Sequence, residues 1–407
     1  MSKMRIAQVA PLYESVPPKL YGGTERVVSW LTEELVRLGH DVTLFASGDS
    51  KTEANLIAAC ERALWRDLAC RETLPQHIRL MELVFLSSSD FDVIHFHTDY
   101  LQFPLLRYCS TPALTTLHGC LRPHDVGPLF QGSAALLVSV SDNQRRPMPH
   151  ARWLATVHHG LPRDLHTFRS GAGGQLAFVG RIAPEKRVDR AIEIARRSGC
   201  KLRIAAKVYN EDREYYRDRI KPLITASSSF VEFLGEVGGS DKDQLLGEAA
   251  ALLFPIDWPE PLGLAMIEAL ACGTPVIAWR NGSVPEIIQD GKTGFIVDTI
   301  PEAVQAVGKL NCIDRLTCRK AFEDRFDSNR MTRDYLRVYD RLIRERRASL
   351  GEAGSDARCT TVTRLSAEQT SESVSDGRER APWPSLSPAG RPTNQTEREA
   401  VASRRRY

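Results

Sequence analysis

Short apolar runs alternate with stretches of helical spacing through most of the chain. Residues 5–11 form the first run and read as a buried strand. A turn at Tyr21-Gly22-Gly23 follows. Over residues 24–38, Val27, Val28, Leu31, Leu35 and Leu38 then fall on one helical stripe. Thr24 is expected to cap this helix and Gly39 to end it. Residues 41–46 are the next strand. Strand, glycine turn, helix and strand open a doubly wound parallel sheet. Residues 51–90 read mainly as helix. Further strands are expected at 91–96, 113–117, 134–140 and 156–160, with Ser141-Asp142-Asn143 capping a short helix before the last.

The pattern breaks at 161–175, which contains Gly171-Ala172-Gly173-Gly174, and then restarts. Strands are expected at 175–179, 202–206, 231–237, 249–255 and 275–279, and helices at 188–198 and 212–223. A last helix over 328–347 carries Met331, Tyr335, Tyr339 and Leu342 on one stripe. The expected class is α/β: two Rossmann-like doubly wound domains, at 1–165 and 166–327, with a crossing helix at 328–348. Apolar periodicity vanishes after Ser349, so 349–407 is expected to be a disordered tail.

Composition narrows the function classes. The 407 residues hold 54 basic and 51 acidic side chains, a net charge of +3, which gives no argument for nucleic acid. No apolar run approaches the ~18 residues of a membrane span. The first residues lack a signal-peptide pattern. Nine cysteines without a C-x-x-C pair favour reduced thiols, hence a cytoplasmic location, and argue against zinc.

The richest chemistry lies at 258–273, W-P-E-P-L-G-L-A-M-I-E-A-L-A-C-G, between two buried strands. Pro261 suits the first position of a helix, Glu260 its N-cap and Gly273 its end. The first-turn amides of Leu262, Gly263 and Leu264 would then be free to hold an anion, with Gly263 permitting close approach. Glu260 and Glu268 would stand about 80° apart around that helix. An anion site with two carboxylates suggests a phosphorylated sugar. The same spacing also suits an ordinary capped helix with two solvated glutamates.

Other candidates are fewer. Gly180-Arg181 through Lys186 is a glycine-led basic loop after a strand, in which Arg181 and Lys186 suit a diphosphate. Lys207 ends a neighbouring strand and is a further cation for phosphate. His95 and His97 share one face of a strand, a metal-like pattern without an evident third ligand. His118 ends another strand. The Gly22-Gly23 turn lacks G-x-G-x-x-G, which weakens a dinucleotide reading.

Taken together, Glu260-Pro261-Leu262-Gly263-Leu264 with Ile267-Glu268-Ala269 and Gly273-Thr274-Pro275-Val276 resembles the E-x7-E signature of family-4 retaining glycosyltransferases. Leu262 stands where that family usually has Phe. Gly22-Gly23 with Glu25-Arg26, T-T-L-H-G ending at Gly119, the G-R-x-x-x-x-K run from Gly180 to Lys186 and the stretch 281–286 also resemble family motifs. The resemblance spans roughly residues 4–345. It implies the GT-B fold and a metal-independent, retaining transfer from a nucleoside-diphosphate sugar, a co-substrate and not a cofactor. It implies catalytic roles for Glu260, His118, Arg181 and Lys186. It places the donor against Gly22, Gly23, Gly180, Val237, Leu262, Gly263 and Leu264, with Glu268 on the ribose. Lys207 joins the donor side from its strand-end position alone, which suits a surface lysine equally well. The acceptor side would lie around Asp99 and Tyr100, and Glu286 would be a cap-region acid. A GT-B-shaped nucleotide-sugar epimerase and a non-catalytic sugar-nucleotide sensor are the rival readings. Expected partners are the nucleotide sugar and an acceptor that the sequence does not name. Nucleic acid is not expected, and a peripheral contact of the last helix with anionic lipid is kept open. The sequence gives no oligomeric state.

Overall fold

The computed structural model describes residues 3–20, 22–171 and 173–356. Its first sheet holds β1 (Arg5–Val9), β2 (Asp41–Ser47), β3 (Asn55–Cys60), β4 (Val93–Phe96), β5 (Ala113–Thr116), β6 (Leu137–Ser139) and β7 (Trp153–Thr156). Its second holds β8 (Gln175–Arg181), β9 (Lys201–Lys207), β10 (Val231–Gly235), β11 (Ala249–Phe254), β12 (Val276–Trp279) and β13 (Gly294–Val297). The strand orders are β3-β2-β1-β4-β5-β6-β7 and β10-β9-β8-β11-β12-β13. All paired strands run parallel.

The fold is thus two Rossmann-like α/β domains. Parallel sheets carry helices on both faces, so their central strands are apolar throughout. Ala249–Phe254 and Val276–Trp279 show this. Each sheet reverses its winding once, between β1 and β4 and between β8 and β11. Ligands of such sheets bind at the carboxyl ends of the strands beside that reversal. The loops after β1, β8 and β11 carry Gly22, Lys186 and Glu260 respectively.

Where the sequence reading differs, edges and loops are responsible. β3 lies within the stretch read as helical, because an edge strand with only one fully buried position shows little periodicity. β7 lies at 153–156 and not 156–160, and none of its residues is fully buried. The first helix spans Gly23–Arg37 with Gly22 as N-cap, not Thr24.

The helix expected from Pro261 begins at Leu264, and Gly263 precedes it in the left-handed region at φ 81. Residues 258–263 instead form a loop fastened to 281–283. Ser283 donates its N–H to Glu260 O at 3.0 Å and its Oγ–H to Leu262 O at 2.8 Å. A Cβ at Gly282 would meet Glu260 N at 2.3 Å. Glu260 is therefore a loop residue, and the expected 80° relation to Glu268 on one helix does not hold. The other end is as expected. Thr274 N–H bonds Ala269 O and Gly273 N–H bonds Leu270 O, a Schellman stop with Gly273 at φ 81.

The last helix spans Ser328–Asp356, eight residues beyond the expected 348. Met331, Tyr335, Tyr339 and Leu342 bury into one cluster with Met4, Ile6, Val27 and Leu31 of the first domain. Asn329 also donates to Glu34 at 2.6 Å. The rest of the expected tail, 357–407, lies outside the described residues. Among those residues no helix is long and apolar enough to cross a membrane.

Candidate functional site

Two adjoining cavities open between the sheets' carboxyl ends. The first, of about 340 Å³, lies at the head of the helix Leu264–Ala271. That size is ordinary for a small-molecule site. Gly22 and Gly23 close one wall, and Gly180, Lys207 and Val237 another. Leu262, Gly263 and Leu264 form its floor. A side chain at Gly263 would strike Met266 Cε at 2.7 Å and Phe254 Cζ at 3.0 Å, so the bare backbone is exposed there. The helix begins one turn later than expected, so the orphan first-turn amides are those of Leu264 and Ala265. The Met266 N–H already bonds Gly263 O.

The two glutamates stand at opposite ends of this cavity, each with its own lysine. Glu260 Oε2 accepts from Lys186 Nζ and, at 2.7 Å, from Trp258 Nε1. Lys186 Nζ also lies 4.6 Å over the Trp258 ring. Glu268 is only 4% exposed and accepts from Lys242 Nζ through Oε1. Burial alone would raise its pKa, but Lys242, with His166 and Arg26, holds it below the usual carboxylate value. Lys242, on the helix Gly239–Glu248, also lines the cavity. Sequence reasoning missed it, since its partner stands 26 positions later and no motif joins them.

His118 reaches both cavities from the end of β5. Its ring belongs to a buried hydrogen-bonded row whose direction follows from one amide. Gln8 Nε2 donates to Tyr339 Oη at 3.0 Å, so Gln8 Oε1 accepts from His97 Nε2 at 2.9 Å. His97 Nδ1 then accepts from His118 Nε2 at 2.9 Å, and His118 Nδ1 accepts from His159 Nε2 at 3.3 Å. On the other side, Tyr339 Oη donates to His95 Nδ1 at 2.7 Å and His95 Nε2 to Thr116 Oγ1 at 2.7 Å. Burial lowers the pKa of His95, His97 and His159 well below the ordinary histidine value, and that of His118 to about 3. All four rings are neutral at pH 7. The pair His95 and His97 spends its nitrogens on this row, not on a metal.

Not every expected residue joins the first cavity. Arg181 faces the second, with Glu185, Asp212 at 3.4 Å and Glu211 at 3.8 Å around its guanidinium. Asp99 and Tyr100 are exposed and line neither cavity. Glu286 is a cap across the domains: it accepts from the amides of Asp142 and Asn143 at 2.8 Å each and from His158 Nε2 at 3.1 Å. Among the described residues His166, Asp243 and Cys272 bring possible metal-ligand atoms within 4.8 Å of one another. Asp243 Oδ1 there already accepts from Thr167 N–H at 2.8 Å and from His166 at 3.2 Å, and burial pushes the Cys272 thiol up.

A cavity lined by Arg26, Lys186, Lys207 and Lys242 together with Glu236, Glu260 and Glu268, at the switch points of two facing sheets, can hold an anion and a polyol together. Family comparison agrees with that chemistry. Residues 21–173 match the family described as Glycosyltransferase Family 4, and residues 170–312 match Glycosyl transferases group 1. The chain belongs to glycosyltransferase family 4. The enzyme is 26% identical over 340 residues to an uncharacterized glycosyltransferase of Methanocaldococcus jannaschii, covering 72% of this chain and 85% of that one. Its fold is that of GT-B glycosyltransferases. AviGT4, a glycosyltransferase involved in avilamycin A biosynthesis, superimposes with a TM-score of 0.67 at 24% identity, over 84% of this chain and 98% of its own. The Anabaena protein HepE in complex with UDP-glucose gives 0.64 at 16% identity, over 83% and 99%. The two matched segments of this glycosyltransferase meet near the glycine-rich loop, and its crossing helix lies outside both.

Proposed function

We propose that the enzyme transfers a hexose from a nucleoside-diphosphate sugar to a hydroxyl acceptor, with retention at the anomeric carbon and without a divalent metal. The observation that carries this is the pairing of Lys186–Glu260 at one end of the cavity with Lys242–Glu268 at the other. A neighbour in fold, solved with UDP-glucose, supports a donor of this class. In the reaction the anomeric C–O bond to the diphosphate breaks and the electron pair leaves with phosphate. The acceptor oxygen forms the new bond on the same face, and its proton passes to the departing phosphate oxygen. Negative charge grows on the leaving group, so fixed positive groups lower the barrier. Lys186 and the amides of Leu264 and Ala265 supply them, with Lys207 at the β9 end.

Glu268 accepts from the ribose hydroxyls, and Lys242 keeps it ionised. Glu260 accepts from the donor sugar. His118 borders the sugar from the first domain. Arg181 stands one step away in the second cavity and supports the charge of the leaving group only at a distance. The test is a thermal-shift screen of UDP-, GDP- and ADP-sugars. The true donor, at about 100 times its Kd, stabilises the protein by about 2.7 kcal/mol. Failure of every nucleotide sugar and every free nucleoside diphosphate to stabilise it would sink the reading. Incubation with donor alone separates transfer from epimerisation, which would change the sugar.

A further inference from the structure

The second cavity, of about 650 Å³, shares His118, Lys186, Lys207, Glu260 and Pro261 with the first. A group entering it therefore arrives at the sugar end of the donor cavity, not at the Glu268 end. Its outer wall is Trp65, Glu14 and Arg66 from the first domain and Tyr209, Asn210 and Glu211 from the second. We propose that this cavity is the acceptor subsite and that its occupant is an uncharged carbohydrate ring stacked on Trp65. The proposal rests on the donor reading given above.

Trp65 keeps 54% of its surface exposed, a large apolar area for a soluble face. The indole is nevertheless held in place. Tyr13 packs on it at 5.1 Å between centroids, and His77 supports Tyr13 at 4.8 Å. Tyr209 meets it edge-on at 6.0 Å from the other domain. The backbone is fixed as well, through Trp65 N–H to Tyr13 O at 3.1 Å. A rigid aromatic face loses little entropy on binding and suits the C–H face of a sugar.

The charged groups around it select against other classes. Each is matched: Glu14 with Arg66 at 3.0 Å, Glu211 with Arg181 at 3.8 Å, Glu260 with Lys186, and Lys207 with Glu236 at 3.5 Å. Glu14 is 3% exposed, so its carboxylate is fixed. An acyl chain would bury these pairs without replacing their hydration. The lining sets Arg66, Arg181, Lys186 and Lys207 against Glu14, Glu211 and Glu260, and each cation already has a carboxylate partner, so a phosphorylated acceptor would have to break an ion pair to bind. A hydroxylated ring both donates and accepts, and so bonds to matched acid–base pairs without net charge.

The experiment uses the full chain loaded with whichever of UDP, GDP or ADP binds it. Methyl glycosides of glucose, galactose, mannose and N-acetylglucosamine, with maltose and lactose, are titrated by saturation-transfer NMR. At least one is expected to bind saturably. Trp65→Ala should weaken that binding about tenfold or more, while Trp65→Phe keeps most of it. Nucleotide affinity should be unchanged in both variants, which also reports that they fold. Absence of saccharide binding to the nucleotide-loaded protein overturns the subsite and leaves the donor reading standing. Saccharide binding that Trp65→Ala does not weaken overturns it as well. Trp65-dependent saccharide binding in a protein that takes no nucleotide upholds the subsite as a carbohydrate site and overturns the donor reading.

Discussion

His118 donates its Nε2–H to His97 Nδ1 across 2.9 Å, and the direction of that bond is decided by Gln8 and Tyr339. Tyr339 belongs to the last helix, 331 positions from Gln8. Removing its hydroxyl leaves the Gln8 amide free to turn and the His97 tautomer undetermined. Tyr339→Phe should lower kcat by about tenfold, keep nucleoside-diphosphate affinity, and cost about 1–3 kcal/mol of stability through unmatched buried groups. Calorimetric titration beside donor-hydrolysis rates separates these effects. An unchanged rate would remove the row from the mechanism.

Lys186 and Arg181 should differ. Lys186 lines both cavities and pairs with Glu260, so Lys186→Ala should cost roughly 2–4 kcal/mol in kcat/KM. Arg181 is surrounded by carboxylates in the second cavity alone. Arg181→Ala should cost less. Equal or reversed losses would place Arg181 on the diphosphate directly.

The two glutamates should separate in binding. Glu268→Gln removes a charged acceptor and should weaken the nucleoside diphosphate about 10- to 100-fold. Glu260→Gln should lower kcat and leave that affinity nearly intact, since the free diphosphate lacks the sugar. Calorimetry of both variants decides the assignment. Lys242→Ala, which strands a buried carboxylate, should cost about 3–5 kcal/mol of stability.

Acid should destabilise the fold early. His95, His97 and His159 are 0%, 2% and 5% exposed and are held neutral by burial. Their folded pKa values lie below the unfolded value of 6.5. The stability they confer is therefore complete above pH 6.5 and is lost as pH falls. Each adds up to about 1.4 kcal/mol of loss per pH unit in that range. A melting temperature flat from pH 7 to pH 5 would refute this.

Glu25 should show the opposite slope. Burial raises its carboxyl from 4.5 to about 7, with nearby Glu14 adding to the shift. An acid with a raised folded pKa stabilises below its unfolded pKa, and that contribution is lost as pH rises through about 7. Glu25→Gln should raise the melting temperature at pH 8 and leave it nearly unchanged at pH 4. Equal shifts at both pH values would contradict the burial argument.

How much of this was legible depended on sequence distance. The helix Val188–Ser198 agrees residue for residue with its pattern, because left-handed Arg187 and Gly199 punctuate it locally. The cavity glycines and Lys186 were readable from short motifs. The loop form of 258–263 was not, since Ser283 holds it open from 23 positions after Glu260. Nor was the histidine row, in which His95 meets a tyrosine 244 positions away. Lys242 and Trp65 carry no motif, and only the fold brings them to the cavities.

The crossing helix also sets the order in which the molecule can be completed. Tyr335 and Tyr339 have no exposed surface and fill the core of the first domain together with Met4 and Ile6. On the ribosome, the opening strand therefore waits for the second domain to be made before its own core is closed. Chains released before Ser328 would leave that apolar face bare, a natural substrate for chaperones and a site for aggregation.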